Sequence, residues 1–224
     1  MERRRMSGRE RGRGNHFRTV AFFFLLFSLS APTPASAEEA PKKLELSAAY
    51  RYGLPFGEEE AGIDWSDLYD NGSGGAFEAA YRATPRLALY GGVSFDKYKG
   101  KEIALHPPTG VVTGRFTDQT LLSLYLGVKG YLLNVAVPQR AAGINPYLRA
   151  DIGLTQFNGA DFNGAHVAER SRKFAFSVGI GADILTDTRF LFFFEARYED
   201  HGAPDQSGGA FRGVPISLGL RYLI

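Results

Sequence analysis

The chain has no cysteine, a single tryptophan, two methionines and four histidines in 224 residues. Without cysteine, no disulfide holds the fold together, whatever the compartment. Beyond the N-terminal region the histidines are His106, His166 and His201, each in a segment that reads as a loop. No G-x-S-x-G motif and no His-x-Ser pair accompanies them, so an esterase-type nucleophile lacks its usual surroundings. No apolar run approaches the roughly 20 residues that a membrane-spanning helix requires. The net charge of +2 rests on N-terminal arginines. The remainder is near neutral or acidic, which leaves nucleic-acid binding without an electrostatic footprint. Gly179-x-Gly181 is not followed by a helical pattern, so it is not a phosphate loop.

The N-terminus is of a different composition. Arg3, Arg4, Arg5, Arg9, Arg11, Arg13 and Arg18 precede a solid apolar run from Val20 to Leu29, and Ala35-Ser36-Ala37 follows. A basic region, a short apolar region and an A-x-A-like site together predict a secretory signal peptide over residues 1–37. Residues 38–43 then form a short N-terminal segment, and 44–224 form one domain.

Within 44–224 the recurring signal is alternation at period 2, broken by Gly, Pro, Asn and Asp. The alternating segments are 44–53, 75–83, 86–96, 116–131, 146–157, 172–185, 189–199 and 214–224. In the first, Leu44, Leu46, Ala48, Tyr50 and Tyr52 share one face and Glu45, Ser47, Ala49 and Arg51 the other. The sixth sets Phe174, Phe176, Val178, Ile180 and Ile184 against Lys173, Ser177, Gly179, Gly181 and Asp183. Short connections at Thr84-Pro85 and 186–188 alternate with long polar ones at 54–73, 98–115, 158–171 and 200–212; the middle short-side connection, 132–145, is longer than the pattern asks.

The character of the two faces sets the class. One is large and continuously apolar. The other interleaves Gly, Ala and Ser with Glu45, Arg51, Glu78, Arg82, Arg149, Asp151, Lys173, Asp183, Glu195, Arg197 and Arg221. A soluble barrel would put the apolar face inside. Charged and small residues suit a narrow lumen, and Leu, Phe, Val and Ile suit lipid. The expectation is an all-β, closed, antiparallel, up-and-down transmembrane barrel of about eight strands. Tyr50, Tyr52, Phe95, Phe174 and Tyr198 would form one aromatic girdle and Tyr81, Phe190 and Tyr222 the other.

The final segment, Ser217-Leu218-Gly219-Leu220-Arg221-Tyr222-Leu223-Ile224, resembles the assembly signal of outer-membrane barrels, with Ser217, Gly219, Tyr222 and Ile224 in its defining positions. Ile224 departs from it, since Phe or Trp is commoner there. Residues 125–131, 146–154 and 178–183 also resemble the outer-membrane protein A/X-type and porin-like small barrels. The resemblance implies a Gram-negative cell envelope, location in the outer membrane, contact with its lipid and lipopolysaccharide, and insertion by the barrel assembly machinery. It implies no cofactor.

An eight-stranded lumen is nearly filled by side chains, so the charges inside must pair. The leading expectation is a monomeric, non-enzymatic barrel with a salt-bridged lumen and long loops for structure or interaction. A narrow channel for ions or small solutes and a lipid-modifying enzyme are the alternatives. Asp64, Asp67, Asp70 and Asn71 cluster near Trp65 at a density that suits calcium but without EF-hand spacing; solvation is the simpler reading for them, as it is for His201 beside Asp200, Asp205 and Ser207.

Overall fold

The structure, a computed structural model, describes residues 43–60, 63–105, 112–133, 143–185, 189–205 and 207–224. The expected signal peptide, the turn at 186–188 and most of the 132–145 connection lie outside the described residues.

Eight long strands make the wall: β1 (Lys43–Phe56), β2 (Gly72–Thr84), β3 (Leu87–Tyr98), β4 (Gln119–Tyr131), β5 (Gly143–Phe157), β6 (Ser171–Leu185), β7 (Phe190–Asp200) and β8 (Arg212–Leu223). Each pairs antiparallel with its sequence neighbours, and β8 returns to β1, so the sheet is closed. The closing register matches Leu46 with Tyr222 and Tyr52 with Ile216. At the very end the Ile224 amide donates to the Leu44 carbonyl at 2.8 Å. A closed barrel satisfies every ladder donor and acceptor within the wall, which lipid demands. None of the described helices is long and apolar enough to cross a membrane; the strands do the crossing.

Burial follows the alternation. Phe77, Leu124, Leu126, Ile152, Leu154, Phe174, Ile180 and Leu218 point outward and are more than half exposed to the surroundings of the barrel. The alternate positions are buried, among them Arg51, Lys129, Asp183 and Arg221. This inverts a soluble protein's distribution and fits an apolar band facing acyl chains. Outward aromatics cluster near the rims: Phe56 and Phe176 pack on Tyr198 at one end, and Phe190 packs on Tyr222 at 5.0 Å at the other.

Seven of the eight strands, at twelve to fifteen residues, exceed the about 9–11 that a tilted strand needs to span, and β7, at eleven, meets it. The surplus rises on the long-loop side, where the connections have structure of their own. Glu102–Leu105 pairs with Val112–Arg115, and Ala160–Phe162 with Ala165–Ala168 through a turn in which Asn163 and Gly164 take positive φ. These two hairpins are joined edge to edge by Thr117 N to Asp161 O and Asn163 N to Arg115 O. In the first long loop Trp65–Leu68 forms a helical turn, whose Asp67 carboxylate accepts from the Asp64 amide at 3.0 Å.

Candidate functional site

The lumen is organised in layers, because inward residues of neighbouring strands come level where their registers match. Nearest the short-turn rim, Arg221 of β8 donates to Asp183 of β6 at 2.6 Å, and Arg82 of β2 donates to Glu45 of β1 at 2.8 Å. Tyr131 and Tyr147 pack edge-on there at 5.5 Å, and the Arg82 guanidinium lies 4.1 Å from the Tyr131 ring centre.

The middle layer centres on Arg149. It donates to Glu78 at 2.8 Å, to Glu195 at 2.7 Å, to Asp151 at 3.0 Å and to the Tyr90 hydroxyl at 2.9 Å. Lys129 adds a second cation on Glu78 at 2.7 Å, and Tyr125 and Tyr147 donate to Glu78 and Glu195. Arg197 stands 3.1 Å from Glu195 and 3.4 Å from Glu199.

In the outer layer Arg51 bridges Asp96 at 2.9 Å and Glu199 at 2.8 Å. His201 lies beside them, with Nε2 3.2 Å from Glu199 and Nδ1 2.9 Å from the Thr155 hydroxyl, which in turn meets Ser123 at 2.7 Å.

Above this layer an apolar cap closes the mouth: Trp65, Leu68, Tyr69 and Phe211 of the loops are buried together with Tyr98, Leu121 and Phe157 at the tops of β3, β4 and β5. Phe211 is the hub, 5.1 Å from both Trp65 and Tyr98 and 6.0 Å from Phe157. Trp65 Nε1 donates to the Ala210 carbonyl, tying the first loop to the last. Burial and the nearby Glu59 and Asp118 carboxylates push the Tyr69 phenol up to about 12. At the rim, a hydrogen bond from Lys97 holds the Asp118 carboxyl below its ordinary value.

Among the residues singled out in the sequence, Glu45, Arg51, Glu78, Arg82, Arg149, Asp151, Asp183, Glu195, Arg197 and Arg221 converge in the lumen. Lys173 does not join them. Its parity is inward, but it stands at the top of β6, above the closed layers, and pairs with Asp205 of the last loop. Three charges absent from that set, Asp96, Lys129 and Glu199, complete the network. His201 is corrected outright: it is 3% exposed, not solvated, because the inward parity of Glu195, Arg197 and Glu199 runs one step past the end of β7.

In the first loop, Asp67 caps the helical turn, Asp70 lies 3.7 Å from Lys101, and Asn71 donates to the Tyr52 hydroxyl. No three His, Cys, Asp or Glu side chains converge as a metal centre among the described residues. Of the terminal motif, Ser217 and Gly219 face the lumen, while Tyr222 and Ile224 face outward.

A closed antiparallel barrel with an apolar exterior, a charged interior and elaborated loops on one rim is an integral membrane β-barrel of the bacterial outer-membrane type. The chain belongs to the outer membrane protein beta-barrel domain family, whose model matches residues 22–222. Among solved structures it is similar to Neisserial surface protein A (TM-score 0.54, 17% identity, covering 80% of this chain and 96% of that one). It is also similar to the outer membrane protein OprG from Pseudomonas aeruginosa (TM-score 0.54, 11% identity, covering 82% and 96%). At such identities the likeness is one of fold. A search of the curated proteins gives no significant match.

Proposed function

We propose that this chain is a non-enzymatic outer-membrane protein whose lumen is shut and whose working surface is its ring of long loops. The observation that carries the reading is the filling of the lumen by paired side chains. Three ionic layers span it, an aromatic cap lies over them, and the best-formed cavities beside the layers are small, about 10 and 20 Å³, room for about one water each. Moving a solute through would require breaking several buried ion pairs together, at a few kcal/mol for each partner left uncompensated, about 3–5 by analogy with other buried pairs.

The loops, by contrast, are ordered by each other. Hairpins joined edge to edge and a tryptophan fastened to the opposite loop form a pre-organised surface, which lowers the entropic cost of binding a partner. The reading includes export with cleavage after Ala37, contact with lipopolysaccharide at the loop rim, and use of the β8 terminus by the barrel assembly machinery during insertion.

The decisive measurement is conductance of the purified, folded protein in planar bilayers. The expected result is no steady single-channel current. A reproducible unitary current would replace this reading with a narrow channel. An unchanged lipopolysaccharide acyl pattern on deletion of the gene is expected; an altered one would make the protein a lipid-modifying enzyme. N-terminal sequencing of the protein from outer membranes should begin at Glu38.

A further inference from the structure

Two outward aromatics, Phe95 of β3 and Phe174 of β6, end the apolar band at the long-loop rim, and both are half or more exposed. Above each, the next two outward positions are cationic. On β3 they are Lys97 and Lys99; on β6 they are Arg172 and, just beyond the strand, Arg170. All four are exposed. The wall between them is polar and uncharged at this level, for the register sets Phe95, Leu122, Gln156 and Arg172 in one row and Lys97 beside Thr120 in the next. Below runs an apolar row of Val93, Leu124, Leu154 and Phe174.

The other half of the rim is different. Leu54 of β1 and Ser73 of β2 take the outward positions there, and Arg212 of β8 is neutralised by Asp200 of β7 at 2.9 Å. On the β3–β6 side only Lys97 has a carboxylate, Asp118 at 2.9 Å. Arg172 donates through Nε to the Gln156 side-chain oxygen at 3.0 Å, which leaves its terminal nitrogens unengaged among the described residues. Lys99 and Arg170 have no ion-pair partner among the described residues. Four cations against the adjoining Asp118 and Glu169 leave two positive charges in excess.

The aromatics of a membrane barrel sit at the interface, so these cations stand at headgroup height. Cations there attract anionic headgroups, and a guanidinium takes a phosphate through paired N–H groups. The cationic pairs on β3 and β6 are three strand spacings apart, about 14 Å. One phosphate does not reach both; an acylated disaccharide with a phosphate at each end does. We propose that the outward face of β3–β6 at this rim is a docking surface for one lipopolysaccharide molecule of the outer leaflet. One phosphate lies on Lys97 and Lys99 and the other on Arg170 and Arg172. The sugars lie over Thr120 and Gln156, and acyl chains run down Leu122, Leu124 and Leu154. The proposal rests on the reading that the loop rim meets lipopolysaccharide, and gives that contact its residues and its charged groups.

The test follows the mobility change on heating of the full-length folded protein, in zwitterionic detergent micelles with a chelator present. The added lipid is purified short-chain lipopolysaccharide, the same lipid with its phosphates removed, or phosphatidylglycerol. The midpoint should rise with lipopolysaccharide by about 3–6 °C per tenfold increase beyond half-saturation, and much less with the other two. Each variant is read against its own lipid-free midpoint. K97Q/K99Q and R170Q/R172Q should each need about 25-fold more lipopolysaccharide for the same rise, at about fivefold for each cation removed. R86Q/R189Q, which removes two exposed cations at the short-turn rim, should respond as the wild type does. An equal wild-type response to the dephosphorylated lipid or to phosphatidylglycerol would overturn the proposal. So would an unchanged response of either β3 or β6 variant; the lipid would then sit elsewhere on the rim, and the reading of the rim itself would stand. No wild-type response to lipopolysaccharide would remove both.

Discussion

Arg149 of β5 and Glu195 of β7 meet at 2.7 Å although β6 lies between their strands. Two glycines on β6 allow it. Gly179 is level with Arg149 and Gly181 with Glu195, and neither presents a side chain to keep them apart. Arg149 is 3% exposed and shared among Glu78, Asp151 and Glu195. Arg149→Met therefore leaves several carboxylates short of their cation, and the expected loss of stability is about 3–5 kcal/mol. Urea unfolding in vesicles, followed by the mobility change on heating, measures it. Adding Glu195→Gln to that variant should recover part of the loss, since the two sites are coupled.

The glycines themselves carry a second prediction. A Cβ on Gly181 would stand 2.5 Å from the Tyr147 ring, whose hydroxyl donates to Glu195. Gly181→Val should thus displace Tyr147, cost about 1–3 kcal/mol by overpacking and remove one hydrogen bond from Glu195. Tyr147→Ala in the same chain should relieve the ring's part of the clash and leave that with the Phe194 carbonyl, 2.8 Å from the same Cβ; if the double variant is no more stable than Gly181→Val alone, the ring is not the main obstacle.

The exterior obeys the opposite rule. Leu126, at the middle of β4, is 69% exposed and faces the apolar band. Leu126→Arg should cost about 2–4 kcal/mol in vesicle-folded protein. Leu126→Phe should be near neutral. Equal tolerance of both would mean that β4 does not face lipid.

Period-2 alternation made the wall legible. A one-residue slip would turn every side chain to the other face, so the inward position of Glu45, Glu78, Arg149 and Asp183 could be read from parity alone. Parity also holds for Asp96, Lys129, Glu199 and His201, and extending it one step beyond Asp200 finds the histidine. What it lacks is depth: Lys173 has the right parity but stands above the layers, with Asp205. The cap was not legible. Trp65, Tyr69 and Phe211 come from loops with no periodicity, and only the closed barrel brings those loops over one mouth. Likewise Arg149–Glu195 depends on which strands flank β6, a fact of closure and register rather than of local sequence.

The cap should open at alkaline pH before the barrel does. Tyr69 packs on Trp65 at 6.0 Å and on Phe116 at 6.2 Å, and its folded-state pKa is raised from 10.0 to about 12. A raised value means that the closed cap holds the phenol's proton more tightly than the open one. The contribution to cap stability is therefore complete below about 10 and is lost as pH rises toward 12. Trp65 is the only tryptophan, so its fluorescence reports the cap alone. Its emission should shift toward that of a solvated indole across this window, in step with tyrosinate absorbance, while the unheated protein keeps its fast gel mobility. Tyr69→Phe should carry the shift to higher pH, because no ionisation remains at that position to drive it. Phe211→Ala, which removes the hub of the cap at about 3–5 kcal/mol, should expose Trp65 at neutral pH and again leave the barrel folded, since Trp65, Leu68 and Tyr69 stand in a loop outside the wall's ladder and can open locally away from Tyr98, Leu121 and Phe157 at the strand tops. If Phe211→Ala instead abolishes the mobility change on heating, the cap is part of the barrel's cooperative fold and the loop surface cannot rearrange on its own.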